Sequence, residues 1–195
     1  MNTSQPEQHP LEPFLPQNAK LLMLGSFPPP HERWTMDFYY PNFQNDMWRI
    51  FGLVFFQNKD YFVVENRKSF KETTLQQFLA DKGIALYDTA TEVYRKKGNA
   101  SDQFLEIIKT VDLKAILSQI PCCNTIVTTG QKATETLMEL IGVGQIPPVG
   151  GYIEAVFMSR TLRCYRMSSS SRAYPKSLTD KASDYHKMFY DNQML

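Results

Sequence analysis

The sequence predicts an α/β fold: a three-layer α/β/α arrangement with a central four-stranded parallel sheet. Residues 20–24 are a short apolar run ended by Gly25, residues 84–87 a second ended by Asp88, and residues 125–128 a third that meets Thr129-Gly130. Residues 161–167 form a fourth strand segment ahead of the serine-rich stretch at 168–171. Short runs of this kind, bounded by loop residues, are the pattern of buried parallel strands. Helical periodicity fills the intervals. Alternating strand and helix implies right-handed crossovers and a sheet covered on both faces. In such a sheet the functional crevice lies beyond the carboxyl ends of the strands, here the loops starting at Gly25, Asp88, Thr129 and Ser168.

Taken in order, residues 1–17 read as an extended tail, because Pro6, Pro10, Pro13 and Pro16 block regular structure. Residues 18–195 read as one domain, with no internal repeat and no linker to a second. The loop after the first strand is long and carries Pro28, Pro29, Pro30 and Pro41, and a long loop at a strand end is often functional. Met47, Trp48, Phe51, Val54 and Phe55 give residues 45–56 a helical stripe, with Asn45 near the N-cap. A helix over 75–81 is stopped by Gly83, one over 112–119 is capped by Asp112, and one over 131–141 is closed by Gly142. Residues 147–151 read as a turn and residues 178–190 as a closing helix. A further helix near 104–108 would take Asp102 as its cap.

Composition narrows the function classes. The net charge of +1 argues against a scaffold that holds nucleic acid by bulk charge. Yet from Arg160 to Lys187 seven basic residues face only Asp180 and Asp184, enough to contact a few phosphates or simply to form a solvated face. Aromatic residues make up 13% of the chain, many of them between Phe27 and Phe62, and serve either a thick core or a stacking surface. Cys122, Cys123 and Cys164 are odd in number and lack metal-ligand spacing, and His31 and His186 form no ligand pair. We therefore expect reduced thiols, no metal and no cofactor. No apolar signal core and no bilayer-length apolar segment is present, so a cytoplasmic protein is expected.

The chemistry concentrates in three segments. The first is Gly25-Ser26-Phe27-Pro28, followed by Tyr39-Tyr40-Pro41-Asn42-Phe43 and by Asn45-Asp46-Met47-Trp48. The second is Gly83-Ile84-Ala85-Leu86-Tyr87-Asp88, with Gly98-Asn99-Ala100-Ser101-Asp102 downstream. The third is Met167-Ser168-Ser169-Ser170-Ser171-Arg172. Together, in this order and each at a strand end, they resemble the uracil-DNA glycosylase superfamily, most nearly its mismatch-specific and hypoxanthine branches. The resemblance covers roughly residues 20–190.

That resemblance implies a monomeric DNA-repair glycosylase that flips a deaminated base, uracil or hypoxanthine, out of the DNA and hydrolyses its N-glycosidic bond. Tyr40, eight residues before Trp48, matches the ring on which the mismatch-specific branch stacks the base. Backbone N–H groups at Ser26 and Phe27 would bind a base carbonyl, and Asn42 and Asn45 a base edge. Asp88, Asn99 or Asp102 would stabilise the cationic sugar or orient water. Ser169, Ser171 and Arg172 would hold flanking phosphates, and Tyr174 would fill the gap in the duplex. Two departures stand out. Phe27 occupies the place where most branches carry a water-positioning Asp or Asn, and Met167 the place of the uracil-specific branch's histidine. Each position also has a plainer reading: Tyr40 as loop packing, Asn45 as a helix cap, Asp88 as a turn cap. Two alternatives stand beside the enzyme, a non-catalytic member that binds nucleic acid or a nucleotide, and an unrelated α/β enzyme of small phosphorylated substrates. Gly25-Ser26-Phe27-Pro28 is not a phosphate-cradling loop, which weighs against the last.

Overall fold

Leu21–Gly25 (β2), Ile84–Asp88 (β3), Thr125–Thr129 (β6) and Arg160–Met167 (β8) form the parallel core of a sheet in the order β3-β2-β6-β8. The structure is a computed structural model that describes residues 5–96 and 104–195. Gly151–Phe157 (β7) adds a fifth strand, antiparallel to β8, at the edge. The expected sheet of four parallel strands is thus five-stranded and mixed. The turn read at residues 147–151 leads into a hairpin of β7 and β8, closed by Met158 and Ser159, both at positive φ. β7 escapes a search for buried apolar runs because its burial alternates, as an edge strand's does.

A second sheet was not anticipated. Glu7–Gln8 (β1), Ala90–Arg95 (β4) and Leu105–Thr110 (β5) pair antiparallel in the order β1-β4-β5. The helix expected near 104–108 is instead β5. Leu105 packs with Ala90 and Val93 in a small separate core, to which Ile107 and Phe27 add. A β-branched run opposite a partner strand gains more from that pairing than from one isolated helical turn. Residues 5–17 run along the domain. Besides β1, Phe14 and Leu86 exchange backbone hydrogen bonds of 3.0 and 2.9 Å.

The helices follow local signals. Met47–Phe56 (α1) has Asn45 Oδ1 accepting from the Met47 N–H at 2.9 Å. Glu72–Lys82 (α2) and Gln131–Ile141 (α4) end on left-handed Gly83 and Gly142. Leu113–Gln119 (α3) is capped by Asp112, whose side chain accepts from the Ala115 N–H, and Leu178–Asp191 (α5) by Ser177. Helix α1 packs on α5, while α2 covers β3 and α4 covers β6. The core between them is rich in rings: Trp48, Phe51, Phe62 and Phe189 are fully buried. Burying each is worth roughly 1.5–3 kcal/mol. Most of the rings between Phe27 and Phe62 therefore serve packing.

Of the three thiols, only Cys122 is exposed. Burial pushes Cys123 up to about 11, and burial with the neighbouring Cys123 pushes Cys164 up to about 12. A thiol reagent at pH 8 is expected to titrate one group per native chain and three after denaturation. Because the folded values lie above the unfolded ones, the stability these thiols contribute is complete below pH about 8.5 and is lost as pH rises through about 11–12. A pH series of urea midpoints checks the sign. No helix among the described residues is long and apolar enough to cross a membrane.

Candidate functional site

Register places the site. Gly25 of β2 lies opposite Asp88 of β3, and Thr129 of β6 opposite Met167 of β8, so all four carboxyl ends finish at one level. The loops leaving them enclose a cavity of about 180 Å³ lined by Gly25, Ser26, Phe27, Tyr40, Asn42, Asn45, Asp88 and the serines 169–171, among others. A cavity of roughly 150 Å³ admits one benzene ring, so this one is on the scale of a single planar base.

Asp88 is the only carboxylate that lines the cavity among the described residues, and it is buried. Its Oδ2 accepts from His9 Nε2 at 2.9 Å, and the His9 side chain is 2% exposed. His9 Nδ1 sits 2.8 Å from the Leu11 carbonyl and 3.2 Å from the Leu11 N–H, so the ring is fixed at both nitrogens. Rings crowd around this pair: Phe27, Tyr87 and Tyr39 lie 5.4, 4.7 and 6.4 Å from the imidazole. Burial, and then the Asp88 charge, hold the Tyr39 hydroxyl far above its ordinary range. It stays neutral and donates to the Glu12 carbonyl at 2.8 Å.

The opposing oxygen of Asp88 explains Gly25. A Cβ at Gly25 would fall 2.3 Å from Asp88 Oδ1 and 3.8 Å from Thr129 Oγ1. Gly25→Ala is therefore expected to push the carboxylate off its His9 contact and to cost about 1–3 kcal/mol. Thermal unfolding of the variant, beside its imidazole NMR shifts, checks both effects.

Tyr40 stands at the wall with φ +50, a conformation that non-glycine residues rarely adopt. Its hydroxyl is 3.1 Å from Thr129 Oγ1, and its ring meets Trp48 edge to face at 5.8 Å. Asn42 Oδ1 accepts from the Gln44 N–H and Asn45 Oδ1 from the Met47 N–H, each at 2.9 Å. A backbone N–H can only donate, so each Oδ1 is the acceptor, and neither NH2 group has a hydrogen-bond partner among the described residues.

The serine loop is fastened from below. Asp46 accepts from Arg172 Nε at 2.9 Å and from the fully buried Lys181 at 3.1 Å. Lys181 also donates to the Ser171 carbonyl at 2.8 Å, and the Asp46 N–H to the Ser170 carbonyl at 2.9 Å. Ser169 Oγ and Ser171 Oγ accept from the N–H groups of Ser171 and Ala173, each at 3.2 Å, which leaves their protons to donate outward. Arg172, expected to be a free phosphate contact, is committed on one side to Asp46 and stays about half exposed.

The structure thus brings together Ser26, Phe27, Tyr40, Asn42, Asn45, Asp88, Ser169 and Ser171. Arg172 lies just beyond, and Asn99 and Asp102 fall outside the described residues. Phe27 departs from a water-positioning residue for a visible reason: its ring packs on the small core of the second sheet and lies 5.8 Å from the buried Arg95 guanidinium. Sequence reasoning missed His9. Its partner is 79 residues away, and no local pattern announces it. No group of three or more metal-binding side chains occurs among the described residues.

No family model matches the chain, and no curated protein matches it in sequence. Among solved structures it is similar to an NMR structure of a Methanosarcina acetivorans protein, provisionally described as a uracil DNA glycosylase. The TM-score is 0.62 and the identity 22%, over 92% of this chain and 94% of that one. The chain therefore shares the fold of that Methanosarcina acetivorans protein.

Proposed function

We propose that the protein is a monofunctional DNA glycosylase of base-excision repair, which hydrolyses the N-glycosidic bond of a deaminated base, uracil or hypoxanthine. The observation that carries this is the base-sized cavity at the carboxyl ends of the strands, where a buried carboxylate, two amide side chains and a tyrosine ring meet. Deamination turns an amine beside a ring nitrogen into a carbonyl beside an N–H. Asn42 and Asn45 offer donors to carbonyl oxygens, and Asp88 Oδ1 offers an acceptor to an N–H. Tyr40 supplies a stacking face, worth roughly 1–3 kcal/mol per base. The description of the Methanosarcina acetivorans protein points the same way.

In hydrolysis the bond from C1′ to the base breaks and its electron pair leaves with the base. A water oxygen bonds to C1′, and the water's proton neutralises the base anion. Amide N–H groups on the base carbonyl stabilise that leaving anion. A carboxylate stabilises the cationic sugar or orients the water. Asp88 is our choice for this part, with Asn99 and Asp102 in the same reading. Ser169 and Ser171 hold phosphates beside the flipped nucleotide.

Phe27 favours a second reading, a non-catalytic protein that binds nucleic acid or a nucleotide, since its ring gives no polar group to a water. One assay separates the two. Duplexes carrying a single uracil, hypoxanthine or xanthine are incubated with the protein and treated with alkali. Strand cleavage at the modified position supports the enzyme. Retention of the modified duplex without cleavage supports the binder.

A further inference from the structure

Beside the base cavity runs a second, open groove. The two share Arg33 and Asn42, so the groove begins where the mouth of the cavity ends. Its charged lining is Arg33, Lys68 and Arg172, and no acidic side chain lines it. Arg33 and Lys68 are exposed, and neither forms an ion pair among the described residues. Arg172 does meet Asp46, but Asp46 also serves Lys181, so one negative charge is set against two positive ones. Behind the groove wall formed by Phe43, the Arg49 guanidinium stacks at 4.3 Å from the ring. Burial, and then the nearby Arg172 charge, lower the pKa of Arg49, a sign of how closely cations gather here.

Cations concentrated along an open groove suit a polyanion whose charges repeat. A nucleotide whose base fills the cavity must pass its backbone out through the mouth, past Arg33 and Asn42. We propose that this groove seats the DNA backbone phosphates on one side of the flipped nucleotide, with Arg33 and Lys68 as contacts alongside Arg172. The ligand rests on the glycosylase reading above, but the groove is tested separately.

The test is fluorescence anisotropy with two labelled duplexes, one undamaged and one with a single uracil, across about 50–200 mM salt. Arg33→Gln and Lys68→Gln are each expected to weaken binding of both duplexes alike, by roughly twofold to fivefold. Each also lowers the slope of log K against log salt by about 0.9. Arg163→Gln, at the amino ends of the strands, leaves the slope unchanged. A double variant of Arg33 and Lys68 that melts like the parent and keeps its slope overturns the proposal. Lost slope in a protein that excises no base leaves the groove standing and removes the glycosylase reading. Excision with an unaltered slope does the reverse, and no DNA binding by the parent chain overturns the groove.

Discussion

Asp88→Ala is expected to lower base excision by about 10²- to 10³-fold, the usual scale for removing one preorganised charge from a reacting centre. The cavity holds no other carboxylate among the described residues. Asp88 is buried, lies close enough to Tyr39 and Tyr87 to add to the rise that burial gives their hydroxyl pKa values, and is held in place by His9. Asp88→Asn keeps the size and loses the charge, so it isolates the electrostatic part. His9→Ala leaves the carboxylate present but unfixed, and a smaller loss, about tenfold, is expected there. Single-turnover rates on the substrate found by alkali cleavage, beside the melting temperature of each variant, give the answer. An unchanged rate in a folded Asp88→Ala protein would remove Asp88 from the chemistry.

The largest stability loss is expected at Asp46. Lys181 is fully buried and its ammonium has two oxygen partners, Asp46 Oδ2 and the Ser171 carbonyl. Asp46→Ala strands that charge, and breaking a buried pair from one side costs about 3–5 kcal/mol. Pairing it with Lys181→Met should recover most of the loss, because an apolar pair of similar volume has no charge to desolvate. Urea unfolding of the two singles and the double closes the cycle. If Asp46→Ala leaves the midpoint in place, water reaches Lys181 and the serine loop is fastened elsewhere. Since Ser170 and Ser171 hang from the same network, the single variant should also loosen the cavity wall.

What was legible in the sequence was local. The helix at 131–141 has the bounds that its flanking glycines signal, and Asp112 caps the helix it was assigned to. Strands β2, β3 and β6 were legible as short runs buried on both faces, and β8, which carries three arginines and is only partly buried, as the last strand segment ahead of the serine-rich stretch. The convergence of Gly25, Tyr40, Asp88 and the serines followed from the rule that crevices open at strand carboxyl ends. What failed was non-local. Strands β4 and β5 flank the undescribed residues 97–103, and each gains its stability from the other; read alone, residues 104–108 suit a short helix. Residues 5–17 are rich in proline, and nothing among them shows that His9 would find Asp88 and Glu7 would find Arg95. Arg172 was read as a phosphate contact from the serine-rich motif and its charge, and neither discloses that Asp46 also lies within reach.

The two-residue strand β1 has an effect out of proportion to its length. It covers the outer side of β4, which would otherwise present a row of unpaired backbone donors and acceptors. A chain trimmed to begin at Asn18, as the proline-rich stretch before it invites, would lose part of the cavity wall and the His9 contact to Asp88, and acquire a sticky border at once. Its failure would show as self-association through that border rather than as simple inactivity.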